Sequence, residues 1–132
     1  MKNFRKNLGN LGEQLAVETI QRRGLEIVAR NWRCPLGEID IIAREGDVLA
    51  IIEVKTRRGR SAGTPEQGVD ARKQRKLCQL AQCYTENIGW EGDVRLDVVG
   101  VELSPAGRLL RVSYWPGAIE CWDEEWREET WL

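Results

Sequence analysis

Histidine is absent from this sequence. That removes Ser-His-Asp and Cys-His catalysis, histidine zinc sites and histidine proton shuttles together. Any catalysis must rest on carboxylates, lysine, a thiol or a metal-bound water. No stretch approaches the about 20 apolar residues of a membrane span. The basic start MKNFRKNLGN has no apolar run behind it, so it does not read as a secretory signal. With no membrane partner and no address in view, the expected location is the cytoplasm. The cysteines at 34, 78, 83 and 121 match no zinc motif and no CxxC pair. They are expected to be four reduced, mostly buried thiols. Internal repeats and low-complexity linkers are lacking too.

What is present suits one domain with one core: 132 residues, 42% of them hydrophobic. The net charge of −1 conceals a segregation. Residues 1–76 carry 16 Lys/Arg against 10 Asp/Glu, and residues 77–132 carry 4 against 11. The first part could face a polyanion and the second could not, although two solvated surfaces of opposite sign fit the same numbers.

Periodicity and turn chemistry predict a helix over about 11–23, stopped by Gly24, with Asn10 and Glu13 spaced as a capping box. Strands follow over about 25–33, 37–43 and 48–55, the last two joined at Glu45-Gly46-Asp47. Residues 56–64 read as a mobile basic loop. A second helix covers about 71–87, with a further turn from Pro65 in view, and its buried stripe runs through Leu77, Leu80, Ala81, Tyr84 and Ile88. Two strands, 94–103 and 108–115, close the domain over residues 1–117, and 118–132 form an acidic, tryptophan-rich tail. The order α-β-β-β-α-β-β implies an α/β fold with a mixed, partly antiparallel sheet of about five strands. The tryptophans at 115, 122, 126 and 131 are expected to pack against the core or the tail.

Strand geometry carries the chemical argument. Glu38 and Asp40 share one face of the second strand, and Glu53 and Lys55 one face of the third. If Gly46-Asp47 is a two-residue hairpin loop, Glu45 pairs with Val48, Asp40 falls opposite Glu53 and Glu38 opposite Lys55. A one-residue slip would part the two pairs. Two carboxylates pressed together among apolar residues repel each other and resist desolvation, which a divalent cation relieves. Mg2+ takes one or two carboxylates and accepts phosphate oxygens, and Mn2+ is a workable substitute. Such an ion polarises a phosphoryl oxygen and acidifies water, while Lys55 could orient that water and stabilise developing charge. Cross-strand ion pairs on a wet sheet face fit the same spacing.

Asp40 followed by Glu53-Val54-Lys55 resembles the D…(D/E)xK signature of restriction-endonuclease-like nucleases, with Ile39 where a proline is usual. Gly12-Glu13, Asn31, Gly37-Glu38-Ile39-Asp40, Glu53-Val54-Lys55-Thr56-Arg57, Lys73-Gln74 and Arg95-Leu96-Asp97-Val98-Val99 resemble the YraN-like family of bacterial proteins, related to archaeal Holliday junction resolvases. The resemblance spans about residues 9–103. It implies a restriction-endonuclease-like fold, with Asp40 and Glu53 as metal ligands, Lys55 as catalytic lysine and Glu13 as a further acidic ligand, its capping box being the other reading. Glu38 is placed to orient Lys55. Asp97 matches the family but reads as structural, paired with Arg95. Since resolvases act as dimers on two-fold junctions, a homodimer is in view.

Arg57, Arg58 and Arg60 follow the strand end where a phosphate backbone would approach, and Lys73 and Gln74 lie near the start of the second helix, facing the cluster. Ordinary solvated positions are the plainer reading of all five. The leading expectation is a metal-dependent endonuclease cutting DNA, at branched or repair intermediates. The alternatives are a non-catalytic nucleic-acid-binding protein that keeps the fold, and an adaptor working through the tail.

Overall fold

A computed structural model of the chain describes residues 2–59 and 69–121, with residues 2–8 described in backbone only. The element order is α1 (Lys2–Arg22), β1 (Glu26–Cys34), β2 (Gly37–Glu45), β3 (Val48–Arg58), α2 (Ala71–Ile88), β4 (Asp93–Leu103) and β5 (Leu109–Ile119). The five strands form one sheet in the order β1-β2-β3-β4-β5. Only β3 and β4 run parallel, and a parallel step needs a long crossover, which the segment holding α2 supplies. The other neighbours pair antiparallel.

Alternation along β3 feeds both faces. Leu49 and Ile51 pack with Ile39, Ile42, Leu96 and Val98 under Leu77, Leu80 and Tyr84 of α2. Ala50 and Ile52 pack with Ile41, Val99, Val101 and Leu103 over Ala16, Val17 and Ile20 of α1. A central strand apolar on both sides is what a sheet with a helix on each face requires. Among the described residues, no helix is long and apolar enough to cross a membrane.

The elements depart from expectation at several points. Helix α1 begins at Lys2, so Asn10 lies inside it and cannot cap it. Strand β3 runs on to Arg58, because its parallel pairing with β4 continues to Leu103; the expected loop starts later, and its remainder lies outside the described residues, as does the turn from Pro65. Helix α2 begins at Ala71 behind the cap Asp70, whose side chain accepts from Lys73 N, and ends at Gly89 with φ +71°. Ile88, expected inside, is 47% exposed. It is the last helical residue, and Trp90 makes the core contact beyond it.

Strand β5 carries the sheet to Ile119, which is buried. Trp115 lies on it, exposed rather than in the core. Trp122, Trp126 and Trp131 lie outside the described residues.

The thiols need a larger correction. Cys78 in α2 and Cys121 after β5 form a disulfide across 43 residues, with Cα atoms 5.6 Å apart. Sequence spacing reveals local cysteine motifs, whereas this pair meets only because the end of β5 reaches the α2 layer. Cys34 and Cys83 are free thiols, each only half-buried.

Candidate active site

The hairpin between β2 and β3 has the two-residue loop: Glu45 pairs with Val48, and Gly46 takes φ +59°, open to glycine at no steric cost. Every later pair follows from that register. The ladder runs from there to Ile41 opposite Ile52 and stops. One step further, Asp40 stands across from Glu53. Here a side chain replaces the backbone: Val54 N donates to Asp40 Oδ2 at 2.8 Å.

On the other side, Arg30 pairs with Ile41 and Trp32 with Ile39. Asn31 lies between them with φ +53°, the one non-glycine in the left-handed region among the described residues. Ile41 packs toward α1 while Ile39 packs toward α2, so strict alternation fails at Asp40. Strand β2 changes faces at this residue, and charged groups of both helices, Glu13 and Lys73, act on Asp40. A strained residue beside a candidate site is a recognised pairing.

Asp40 and Glu53 share a side-chain hydrogen bond, and the Asp40 pKa is pushed up to about 7. Burial is the main cause. The Glu53 charge adds to it, the Val54 N–H opposes it, and Glu13 contributes at longer range. Glu53 is 6% exposed and meets Lys73 Nζ at 2.6 Å. Burial works against the Lys73 ammonium, but its bond to Glu53 and the charges of Glu53, Asp40 and Asp70 outweigh that and lift its pKa. A pocket of about 240 Å³ opens here, lined by Glu38, Asp40, Glu53, Lys73, Lys76, Leu77 and Leu80.

Other expected site residues are placed less directly. Lys55 is half-buried on β3, on Glu53's side by alternation but outside that lining. Glu38 lines the pocket and pairs with Arg33 at 3.6 Å, the ladder having ended before it could reach Lys55. Glu13 Oε1 meets Arg30 Nε as an ion pair at 3.5 Å and makes no hydrogen bond besides. Arg57 and Arg58 belong to β3 rather than to a loop, and Arg58 Nε donates to the Pro105 carbonyl at 2.6 Å. Arg60 lies outside the described residues. Gln74 turns back to donate to the Val69 carbonyl.

Lys76 was not singled out in the sequence. It stands one turn beyond Lys73, beside Leu77, and that i, i+3 spacing was the available signal. Its Nζ would lie 3.6 Å from a side chain at Gly37.

Asp97 is structural. Fully buried, it accepts from Arg95 Nε at 2.8 Å, Tyr114 Oη at 2.5 Å and Gly117 N at 2.8 Å. Tyr114 is held protonated first by burial and then by that bond.

Among the described residues, no group of three His, Cys, Asp or Glu side chains stands ready to hold a metal. Two touching carboxylates nevertheless match what Mg2+ takes from a protein when water and phosphate complete its shell.

Comparison with known proteins finds that a sequence model described as "Uncharacterised protein family UPF0102" matches residues 12–101. A UPF0102 protein of Symbiobacterium thermophilum is 50% identical over 105 residues, covering 79% of this chain and 89% of that one. One from Dictyoglomus turgidum is 40% identical, covering 86% and 98%. One from Moorella thermoacetica is 42% identical, covering 90% and 100%.

Proposed function

The chain belongs to the uncharacterised protein family UPF0102, and we propose that it is a divalent-metal-dependent endonuclease hydrolysing DNA phosphodiester bonds, at branched or repair intermediates. One observation carries the reading: two carboxylates from neighbouring strands meet where the β2–β3 ladder ends, in a pocket walled by two lysines. A purely structural pair of acids gains little from being placed so that one must stay protonated near neutral pH.

Asp40 and Glu53 would hold the cation, with Glu13 the further carboxylate nearby. Mg2+, or Mn2+ in its place, supplies Lewis acidity toward phosphate and water. The chain's own groups do the rest. Val54 N–H fixes the Asp40 carboxylate, so the ligand is oriented before substrate arrives. Lys55, on Glu53's side of β3, stabilises charge building on the phosphoryl oxygens. Lys73 and Lys76, on the pocket wall, and Arg57, at the strand end, hold the flanking phosphates.

A second reading, a nucleic-acid-binding protein without turnover, draws on Lys73, which already neutralises Glu53. Incubation with junction, flap and duplex DNA, with and without Mg2+, separates the two. The nuclease reading expects Mg2+-dependent cleavage that falls at least about 100-fold in Asp40→Asn, Glu53→Gln and Lys55→Ala. Salt-sensitive binding with no cleavage supports the second reading. Cleavage unchanged in Lys55→Ala and Asp40→Asn overturns the first.

A further inference from the structure

Glu53 carries its own cation. Its side chain is 7% exposed and that of Lys73 is 45% exposed, so the two ends of the 2.6 Å pair are unequal. The lysine enters from solvent on a flexible stem rooted in the first turn of α2, and it can leave by changing rotamers. The glutamate, inside the sheet, cannot follow. A buried carboxylate left charged and without a partner is strongly destabilising, so a proton or another cation takes the place of Lys73 when it leaves.

We propose that Lys73 is a resident counter-ion on Glu53 that competes with the divalent cation and, once displaced, grips a substrate phosphate. This rests on the metal-site reading above. Glu53 Oε1, the atom that Lys73 holds, belongs to a carboxylate that the cation needs, so both cannot occupy it fully. The displaced ammonium stays on the pocket wall beside Lys76, where a phosphate approaching Asp40 and Glu53 would pass. Substrate that draws Lys73 away therefore favours metal loading. An ordinary helix-to-sheet ion pair has the opposite signature: its removal loosens the site and weakens metal binding.

Mn2+ binding to the full chain without DNA, read from the electron paramagnetic resonance of free Mn2+, decides between them. Lys73→Met is expected to bind Mn2+ about tenfold more tightly than wild type, and Asp40→Asn to lose binding. Should Lys73→Met fail to fold, nuclear magnetic resonance of the wild-type lysine side chains answers the same question, since the Lys73 signals should shift in step with Mg2+ saturation. Equal or weaker Mn2+ binding by Lys73→Met, or Lys73 signals unmoved at saturation, overturns the proposal; if Asp40→Asn still abolishes binding, the metal site itself stands. No binding by wild type or Lys73→Met removes both.

Discussion

Asp40 keeps its proton to about pH 7 in the folded chain, against 3.8 for an ordinary aspartate. Between those values the folded state binds more protons than the unfolded state, so this residue's effect on stability becomes less favourable as pH rises through the window and is fully unfavourable above about 7. A divalent cation reverses that, because it favours the ionised carboxylate. The Mg2+-induced rise in Tm should therefore be small at pH 5.5 and several degrees at pH 8, and absent in Asp40→Asn, as thermal denaturation at the two pH values would reveal; equal rises at both would contradict the assignment. At this scale the sequence was informative about identity and poor about partners. Asp40 and Glu53 were legible because side chains alternate along a strand and a two-residue loop fixes the register. Lys73 was legible as facing the cluster, but nothing local indicated that its Nζ would reach Glu53, and Gln74 beside it turned to a backbone carbonyl instead. Lys76 went unread for the same reason: a lysine's reach is decided by what lies beneath its helix.

Helix α1 approaches the end of β3 through Gly12, where an added Cβ would run into Thr56 Oγ1 and lie 3.2 Å from Thr56 Cβ. That close approach brings Glu13 within electrostatic range of Asp40. Helix propensity alone says that Gly→Ala inside a helix stabilises by about 1 kcal/mol. Here the added Cβ meets the Cβ and Cγ2 of a β-branched neighbour at 3.2 Å as well as its Oγ1, so rotating χ1 alone does not clear it, and Gly12→Ala is expected to destabilise by about 1–3 kcal/mol, with Thr56→Ala recovering much of the loss in the double variant. Chemical denaturation of the three variants checks the sign; a stabilised Gly12→Ala would show that the contact does not matter. Element order was readable throughout, because hydrophobic period and turn residues are local. Element ends were not. Helix α1 starts well before Asn10, and β3 outlasts Lys55 because β4 continues to pair with it, a tertiary effect that no window of sequence contains.

Across the whole molecule, the candidate site lies where β2 passes from one packing layer to the other. Strand β2 turns its side chains toward α1 at Ile41 and toward α2 at Ile39, and Asp40 lies at the changeover. The carboxylates therefore come from the sheet, the lysines of the pocket wall from one helix, and Glu13 from the other. The disulfide between Cys78 and Cys121 ties α2, the helix bearing those lysines, to the end of β5. It escaped the sequence reading because its partners are distant in the chain. The basic excess of residues 1–76 includes both lysines of the pocket, which is how the charge segregation bears on the site. All of this converges on one claim, that Asp40 and Glu53 together hold a divalent cation. Crystals soaked in Mn2+ and measured at a wavelength giving anomalous scattering test it directly: the account predicts a peak between those two carboxylates, with Lys73 withdrawn from Glu53. Full-occupancy peaks only elsewhere, or none at Mn2+ concentrations that load an ordinary carboxylate site, would contradict it.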